Sequence, residues 1–438
     1  MVKKVVIVGA GPSGLLLAHY LLRRGDKYQI DIYERRSDPR IIPFSKSRTF
    51  PITLSERGMS ALSKIEGLAE AVRAISVEML GAVSHQKNGK QRFLRRRKPL
   101  FALDRTSLTI VLLQKLTEKY DNSRFNIRFD SKCSAVNFEA KTVTFQNIAE
   151  TAPEGGEFTV YYDLLIGADG ASSVVREHFT NTEMFELEQQ YVRSDYKSIF
   201  LPRPDENLDS KLKPGYIHSW RLDDGSALLL LHQQDGMMSG VIHFPRDKNK
   251  IVRLSSKEDV RQFFRDNFPA IAQKMSDSEA EDFLSRPIST VLTIRCNRYH
   301  YGDSVVLIGD AAHSVSPSLG QGCNSALEDA VILGRLFDEY SDNLAKVTEQ
   351  FTMRRKPDAH ALVELSDNAF PLSGRLFVEY ILREIFAKFM HKLFPNVFPP
   401  SMMQLISETT ESYGKILNLH KSWVEKVKKS NKKFIENL

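Results

Sequence analysis

Residues 3–14 read KKVVIVGAGPSG; GLLLAHYLLRR follows at 14–24 and QIDIYE at 29–34. A β-branched run of strand length ends in glycines, an apolar series at helical spacing comes next, and a second short strand closes the unit. This is a βαβ unit. Gly9, Gly11 and Gly14 form G-x-G-x-x-G where the motif is informative, after a strand and opening a helix. The first glycine makes a tight turn, the second lets the backbone approach a pyrophosphate, and the third lets helix and strand close together. Ser13 stands in the first helical turn, whose amides face phosphate. Glu34 ends the second strand, twenty residues beyond Gly14, placed to accept hydrogen bonds from a ribose. An acid there disfavours a 2′-phosphate, so NADPH is not expected in this site, while FAD and NAD both remain open.

The rest of the chain is long enough for two lobes. Its 438 residues are 42% hydrophobic, which excludes disorder as the main state. Cys133, Cys296 and Cys323 are odd in number and far apart, which fits a reducing, cytoplasmic setting and gives neither a disulfide framework nor a zinc cluster. The apolar N-terminus runs into the glycine motif rather than a cleavage site, and no apolar run reaches membrane-spanning length. Of the formal net charge of +7, residues 414–438 carry seven lysines and two glutamates, so 7 − 5 leaves +2 for the preceding 413 residues. A nearly neutral body argues against a nucleic-acid partner.

Helical spacing is expected over 54–73, 105–119, 257–268, 322–340 and 343–356, and from 375 onward with a proline break at 395–400. Alternation marks strands around 79–85, 91–103, 126–148 and 158–166. Short apolar segments at 215–222, 226–234 and 239–245, separated by DDG and DGM turns, predict an antiparallel meander and so a second lobe. VVLIGD at 305–310 returns to a parallel-strand signature. The expected division is a nucleotide-binding unit over 1–75, an insertion over 76–104, the nucleotide domain continued over 105–180, an antiparallel substrate domain over 181–295, closure of the first domain over 296–360, and a helical region over 361–438.

Two more stretches bear on the cofactor. At 163–176, DLLIGADGASSVVR delivers Asp169-Gly170 to a turn, with Arg176 on the following helix; at 309–329, GDAAHSVSPSLGQGCNSALED ends a strand at Asp310, whose carboxylate can reach a ribitol hydroxyl. Gly320 and Gly322 permit close backbone approach ahead of a helix opening near Asn324, whose amides would stabilise negative charge on a reduced flavin. Asp310 and His313 have metal-pair spacing, but His313 lies inside the loop and is read as a core or capping residue. With Gly9–Gly14, these motifs make the chain similar to the class A flavoprotein aromatic hydroxylases, in family order over most of residues 1–360. SRTFPITLSERGMSAL at 47–62 and the helical tail draw the resemblance toward the kynurenine hydroxylase branch.

The resemblance implies an α/β fold with a Rossmann-like FAD-binding lobe, an antiparallel-sheet substrate lobe and a helical C-terminal region. It implies noncovalent FAD, a transient reductant expected to be NADPH rather than NADH, O2 as cosubstrate, and hydroxylation of a small aromatic substrate through a flavin C4a-hydroperoxide. On matched positions, Glu34, Arg35, Arg48, Arg105, Asp169, Arg176, Asp310 and Asn324 join the glycines and Ser13 as cofactor residues. Pro317, Gly320, Gln321 and Gly322 would line the isoalloxazine, as the catalytic set. The bland reading of Asp169 and Arg176 is a turn cap and a surface ion pair.

Substrate positions depart from the branch. Its members grip an amino-acid carboxylate with an arginine and a tyrosine on the sheet, yet Val77–Val83 holds no arginine. An arginine on the next strand, Arg95 within 92–98, is the replacement candidate, with Phe244, Pro317, Asn368 and Tyr380 as further substrate contacts. A solvated hairpin explains the basic run equally simply, and Phe244 and Trp220 also suit an ordinary core. An epoxidase or reductase of a nonaromatic substrate would carry similar motifs; a noncatalytic FAD-containing membrane or protein-binding module is the non-enzyme alternative.

Residues 376–394 place Phe377, Ile381, Ile385 and Phe389 near one helical face, and the last segment places Ile416, Leu419, Trp423 and Val427 on another, among lysines. Packing against the protein is expected for both, with peripheral membrane contact as the competing reading. The chain is expected to be a monomer or a weak dimer.

Overall fold

The computed structural model describes residues 2–43, 49–149, 156–202, 212–246 and 250–436. At its centre lies a six-stranded sheet ordered His300–Tyr301, Val305–Leu307, Leu164–Gly167, Lys3–Val8, Tyr28–Tyr33, Phe125–Arg128. All neighbours are parallel except the terminal pair His300–Tyr301 and Val305–Leu307. Parallel strands covered on both faces read as continuous apolar runs, which is why KKVVIV and LLIG carry no alternation. Successive strands leave Lys3–Val8 on opposite sides, so a crevice opens beyond its carboxyl end and that of Leu164–Gly167.

An eight-stranded sheet forms the second lobe, ordered Ser289–Cys296, Leu187–Pro202, Met237–Pro245, Ala227–His232, Tyr216–Arg221, Val77–His85, Gln91–Asp104, Pro51–Leu54. Its pairs are antiparallel, apart from Tyr216–Arg221 with Val77–His85. One face buries Leu228, Leu230, Ile242 and Phe244 with Phe264, Phe268 and Phe283 from helices Lys257–Asn267 and Asp277–Ser285. The other face looks back toward the crevice. A three-stranded sheet, Ser131–Asn137, Thr142–Asn147 and Glu157–Tyr161, sits beside the nucleotide lobe.

Three differences from the sequence expectations have local causes. The helix expected over 54–73 is two, Glu56–Leu62 and Leu68–Ala74, because Gly67 turns left-handed at φ 71°. The helix expected to end at 356 runs from Leu344 to Asp367 through Pro357. An internal proline costs a helix about 3 kcal/mol; burial of Phe351, Arg355, Leu362 and Leu365 on both sides offsets that. Leu187–Pro202, with five charged or amide side chains in its first ten residues, escapes the pattern of a buried strand yet pairs along both edges.

A third core gathers Val315 and Leu319, between the last sheet strand and the helix Gly322–Glu339, with Leu376, Tyr380, Ile406, Tyr413, Ile416, Trp423 and Val427 from the C-terminal helices. The tail is therefore docked on the body: Lys426 pairs with Glu379 at 2.7 Å and Lys428 with Glu364 at 2.8 Å. Leu419 departs from the expected face and is exposed. No helix of the described residues is long and apolar enough to cross a membrane.

Candidate functional site

Each side of the crevice is built from backbone. Gly9 adopts φ 101°, and a Cβ there would lie 2.5 Å from the Ala168 carbonyl oxygen; one at Gly14 would lie 2.6 Å from the Gly9 carbonyl oxygen and 3.1 Å from Ile7. Those two glycines serve strand–helix closure. Gly11 is different: a Cβ would find nothing nearer than the Ala168 oxygen and the Arg105 guanidinium, both at 3.9 Å. The space above Gly11 is kept free for something other than protein. It opens the helix Pro12–Leu22, whose first-turn amides have no intrahelical acceptors. Glu34 takes the Ala10 amide at 2.8 Å on one carboxylate oxygen and the Arg36 amide at 2.9 Å on the other, which leaves lone pairs for a ribose.

A cavity of about 2110 Å³ runs from this cradle to the eight-stranded sheet. Along it lie Gly11, Ser13, Arg105, Asp310, Pro317, Gly320 and Gly322, so the structure brings these candidates together. Asp104 caps the helix Arg105–Lys119 by accepting the Ser107 amide at 2.8 Å, and so fixes where Arg105 starts. Asp310 is exposed to the cavity, and partial desolvation deep within it raises the carboxyl above the usual range, against the pull of Arg105 and His313. Among the described residues no hydrogen bond or ion pair engages that carboxylate, so it is open to a ligand hydroxyl. Pro317–Leu319 forms one 3₁₀ turn closed by Gly320 at φ 63°, and a Cβ on Gly322 would meet nothing nearer than 3.6 Å.

Other candidates fall elsewhere. The Asn324 side chain is fully buried in structural bonds: it accepts the Ser55 amide at 2.8 Å and donates to the Thr53 and Gly320 carbonyls at 2.9 and 3.0 Å. Gln321 also turns its side chain inward, to Tyr413. Asp169 accepts the Val174 amide at 2.8 Å, and Arg176 donates to the Ala311 and Ala171 carbonyls at 2.9 and 2.6 Å, so both brace the loops. Each keeps one buried polar atom without a partner, Asp169 Oδ1 and Arg176 Nε. His313 bonds Asp329 at 2.7 Å, in the interior. Arg35 is exposed off the cavity, which Arg36 lines instead. Arg48 lies outside the described residues.

On the sheet wall, alternation corrects one expectation by one residue. Phe244 points into the helix-covered core, and His243 faces the cavity. Burial, reinforced by Arg221, pushes the His243 imidazole down to about 4, so it is neutral at physiological pH. Arg95, opposite Gly81, is exposed and lines the cavity with Ala82, Ser84, Arg92, Leu94 and Arg96. Arg96 is less exposed than Arg95. Burial lowers its pKa, although Glu408 and Tyr380 favour its charge. Its guanidinium donates to Ser407 Oγ at 2.7 Å and has no ion pair among the described residues. Tyr380 and Asn368 both line the cavity; Asn368 donates to the Glu364 carbonyl at 3.0 Å. Trp220 stacks on His85, with ring centroids 4.1 Å apart. Nothing in single-sequence patterning separates His243 from Phe244; only strand register does.

Comparison with known proteins places this geometry. The profile of the family described as FAD binding domain matches residues 3–366. Kynurenine 3-monooxygenase of Phaeosphaeria nodorum is 33% identical over 84% of this chain and 77% of its own length. That of Flavobacterium psychrophilum is 32% identical over 94% and 89%. Violacein synthase of Chromobacterium violaceum is 28% identical over 96% and 97%. Among solved structures, tetrameric 2-methyl-3-hydroxypyridine-5-carboxylic acid oxygenase aligns with a TM-score of 0.68 at 19% identity, covering 84% of this chain and 90% of its own. An FAD complex of Klebsiella pneumoniae HpxO aligns at 0.64 and 18% identity, over 99% and 97%.

Proposed function

The chain belongs to the FAD-binding-domain family of class A monooxygenases, and from that premise we propose that it uses NADPH and O2 to hydroxylate a small aromatic molecule bearing an anionic group. It is an FAD-dependent monooxygenase acting on a small organic substrate; aromatic character, the anionic group and NADPH are the finer reading. What supports them is the continuity of one cavity from the glycine cradle to a wall where the Arg96 guanidinium makes no ion pair among the described residues. An uncompensated guanidinium inside a protein is costly unless a ligand supplies the charge.

Gly11, Ser13, Glu34, Arg105, Asp310, Gly320 and Gly322 would hold FAD, and the room left at Gly11 and Gly322 fits a group pressed against backbone. Bound there, FAD supplies the passage of electrons from NADPH to O2 and the delivery of one oxygen atom to the ring. The side chains do the rest. Arg96 and Ser407 orient the anionic end of the substrate, and Ile217, Leu229, Leu231 and Val241 keep the wall dry. Neutral His243 accepts a hydrogen bond from a hydroxyl or amino substituent. Ala82 and Ser84 face the cavity on the neighbouring strand, so the anion grip falls to the strand Gln91–Asp104.

The test is substrate-stimulated NADPH oxidation over paired aromatic acids and their amides, L-kynurenine among the acids, with product mass read for one added oxygen. Acids are expected to stimulate and amides not, and R96M is expected to raise KM for the acid about 10- to 100-fold with FAD retained. Equal turnover of acids and amides would remove the anion from the reading; no stimulated oxidation by any aromatic would remove hydroxylation.

A peripheral membrane contact is a separate reading, supported by Val378, Leu382, Phe386, Phe389 and Leu393, each 52–61% exposed along one side of the helix Gly374–Leu393.

A further inference from the structure

Tyr413 is fully buried, 92 residues from Gln321 in sequence, and its hydroxyl donates to the Gln321 side-chain oxygen at 3.0 Å. Gln321 stands between Gly320, left-handed at φ 63°, and the first turn of the helix Gly322–Glu339. Its neighbours on either side line the cavity, while its own side chain is withdrawn from it. The residue thus joins a loop that faces the flavin site to a partner on the far side of the loop.

The partner does not move freely. The Tyr413 ring lies under the Arg57 guanidinium, 4.0 Å from carbon to centroid, and Arg57 also bonds Glu328 and the Glu411 carbonyl. The next amide, Gly414, donates to Asp358 at 2.9 Å, and Asp358 pairs with Arg355 at 2.9 Å. Arg355 in turn holds Asp329 at 2.6 Å, and Asp329 accepts the Gly309 amide and His313 at 2.7 Å each. Both loops that frame the site, Gly309–His313 and Gly320–Gly322, hang on one buried network whose outer strap is the C-terminal segment 411–414.

We propose that Tyr413 is a positioning residue of the flavin site: through Gln321 it sets the direction of the first-turn amides of the helix Gly322–Glu339, and so couples the C-terminal region to the flavin. Gln321 sits at φ −103°, ψ −4°, a single residue between a left-handed glycine and the helix, so rotation there re-aims Gly322 and Cys323 together. A buried carbonyl that loses its donor seeks another, and among the described residues this side chain has no second bond to hold it. The inference rests on FAD binding and not on which substrate is hydroxylated.

The holoenzyme carrying Y413F tests it by the absorbance and fluorescence of bound FAD, with no substrate present. A shifted flavin spectrum and an FAD affinity weakened about tenfold are expected, at a hydrogen bond's net worth. Q321L removes the same bond from the loop side and stays informative if Y413F folds poorly; it should give the same shift, and the double variant no more than either alone. S412A removes the cap of the helix Tyr413–Leu419, where Ser412 accepts the Lys415 amide at 3.2 Å, without touching Gln321. It should leave the flavin spectrum unchanged. A wild-type spectrum in Y413F and Q321L, additive shifts in the double variant, or the same shift from S412A would each overturn the proposal. A failure of hydroxylation would show instead as absent turnover with the spectral coupling intact.

Discussion

At Gly11 and Gly14 one side chain atom would have opposite consequences. A methyl on Gly14 enters backbone, 2.6 Å from the Gly9 oxygen, whereas a methyl on Gly11 enters the cavity. G14A should therefore lower the stability of the FAD-free protein by about 1–3 kcal/mol, read by urea denaturation. G11A should leave that curve in place and lose FAD by titration. If G11A unfolds the apoprotein as G14A does, the space at Gly11 serves packing and not a ligand. The same scale explains the misplaced candidates. Phe244 and His243, and Arg35 and Arg36, are neighbours, and which of each pair reaches the cavity depends on backbone direction at one position. Glycine roles are legible from a motif because they concern the chain itself; facing is a property of register, and a slip of one residue reverses it.

Among elements, the helix Gly374–Leu393 divides along its length. Leu376 and Tyr380 are buried, Phe377 and Ile381 pack partly, and Ile385 and Phe389 end exposed, because the bodies that cover the first turns stop short of the last. Amphipathic spacing was visible in the sequence, but a helix with apolar residues on two sides does not declare which side the protein covers. F386S/F389S should abolish most pelleting with anionic liposomes, since each half-exposed ring gains about 1 kcal/mol on insertion, while FAD content and turnover stay at wild-type values. Unchanged pelleting would leave this stripe without a membrane role. The strand Leu187–Pro202 makes the complementary point: its polar first half reads as a loop, and it becomes a strand through pairing with Met237–Pro245 and Ser289–Cys296.

For the whole molecule, the nucleotide lobe and the C-terminal helical core are joined by charge as well as apolar contact. Arg355 is fully buried and pairs with Asp329, Glu328 and Asp358 at 2.6, 3.0 and 2.9 Å. Burial alone would raise the Asp329 carboxyl, but His313 and Arg355 together hold it below the usual range. R355M removes the shared cation, leaving His313 on Asp329 and Arg57 on Glu328, and should cost about 3–5 kcal/mol, measured by denaturation of the FAD-free protein; a loss below about 1 kcal/mol would mean that the network relaxes without its centre. The net charge is resolved at this scale too. Two of the tail lysines meet acids of the body, so the +5 of residues 414–438 is spent partly on docking the helix Lys421–Glu436 rather than on a distant partner.

By itself the sequence determined the nucleotide lobe, since glycine spacing, strand runs and the acid at Glu34 act within a few turns of chain and need no distant partner. It also determined that a second, antiparallel lobe exists, because turns and short apolar runs are local signals. Tertiary structure alone decided which face of that lobe meets the cavity, that Arg96 and His243 stand on it, and that Tyr413 reaches Gln321. Those relations join residues far apart in the chain, and their geometry is set by strand register and buried charge pairing, neither of which leaves a local pattern.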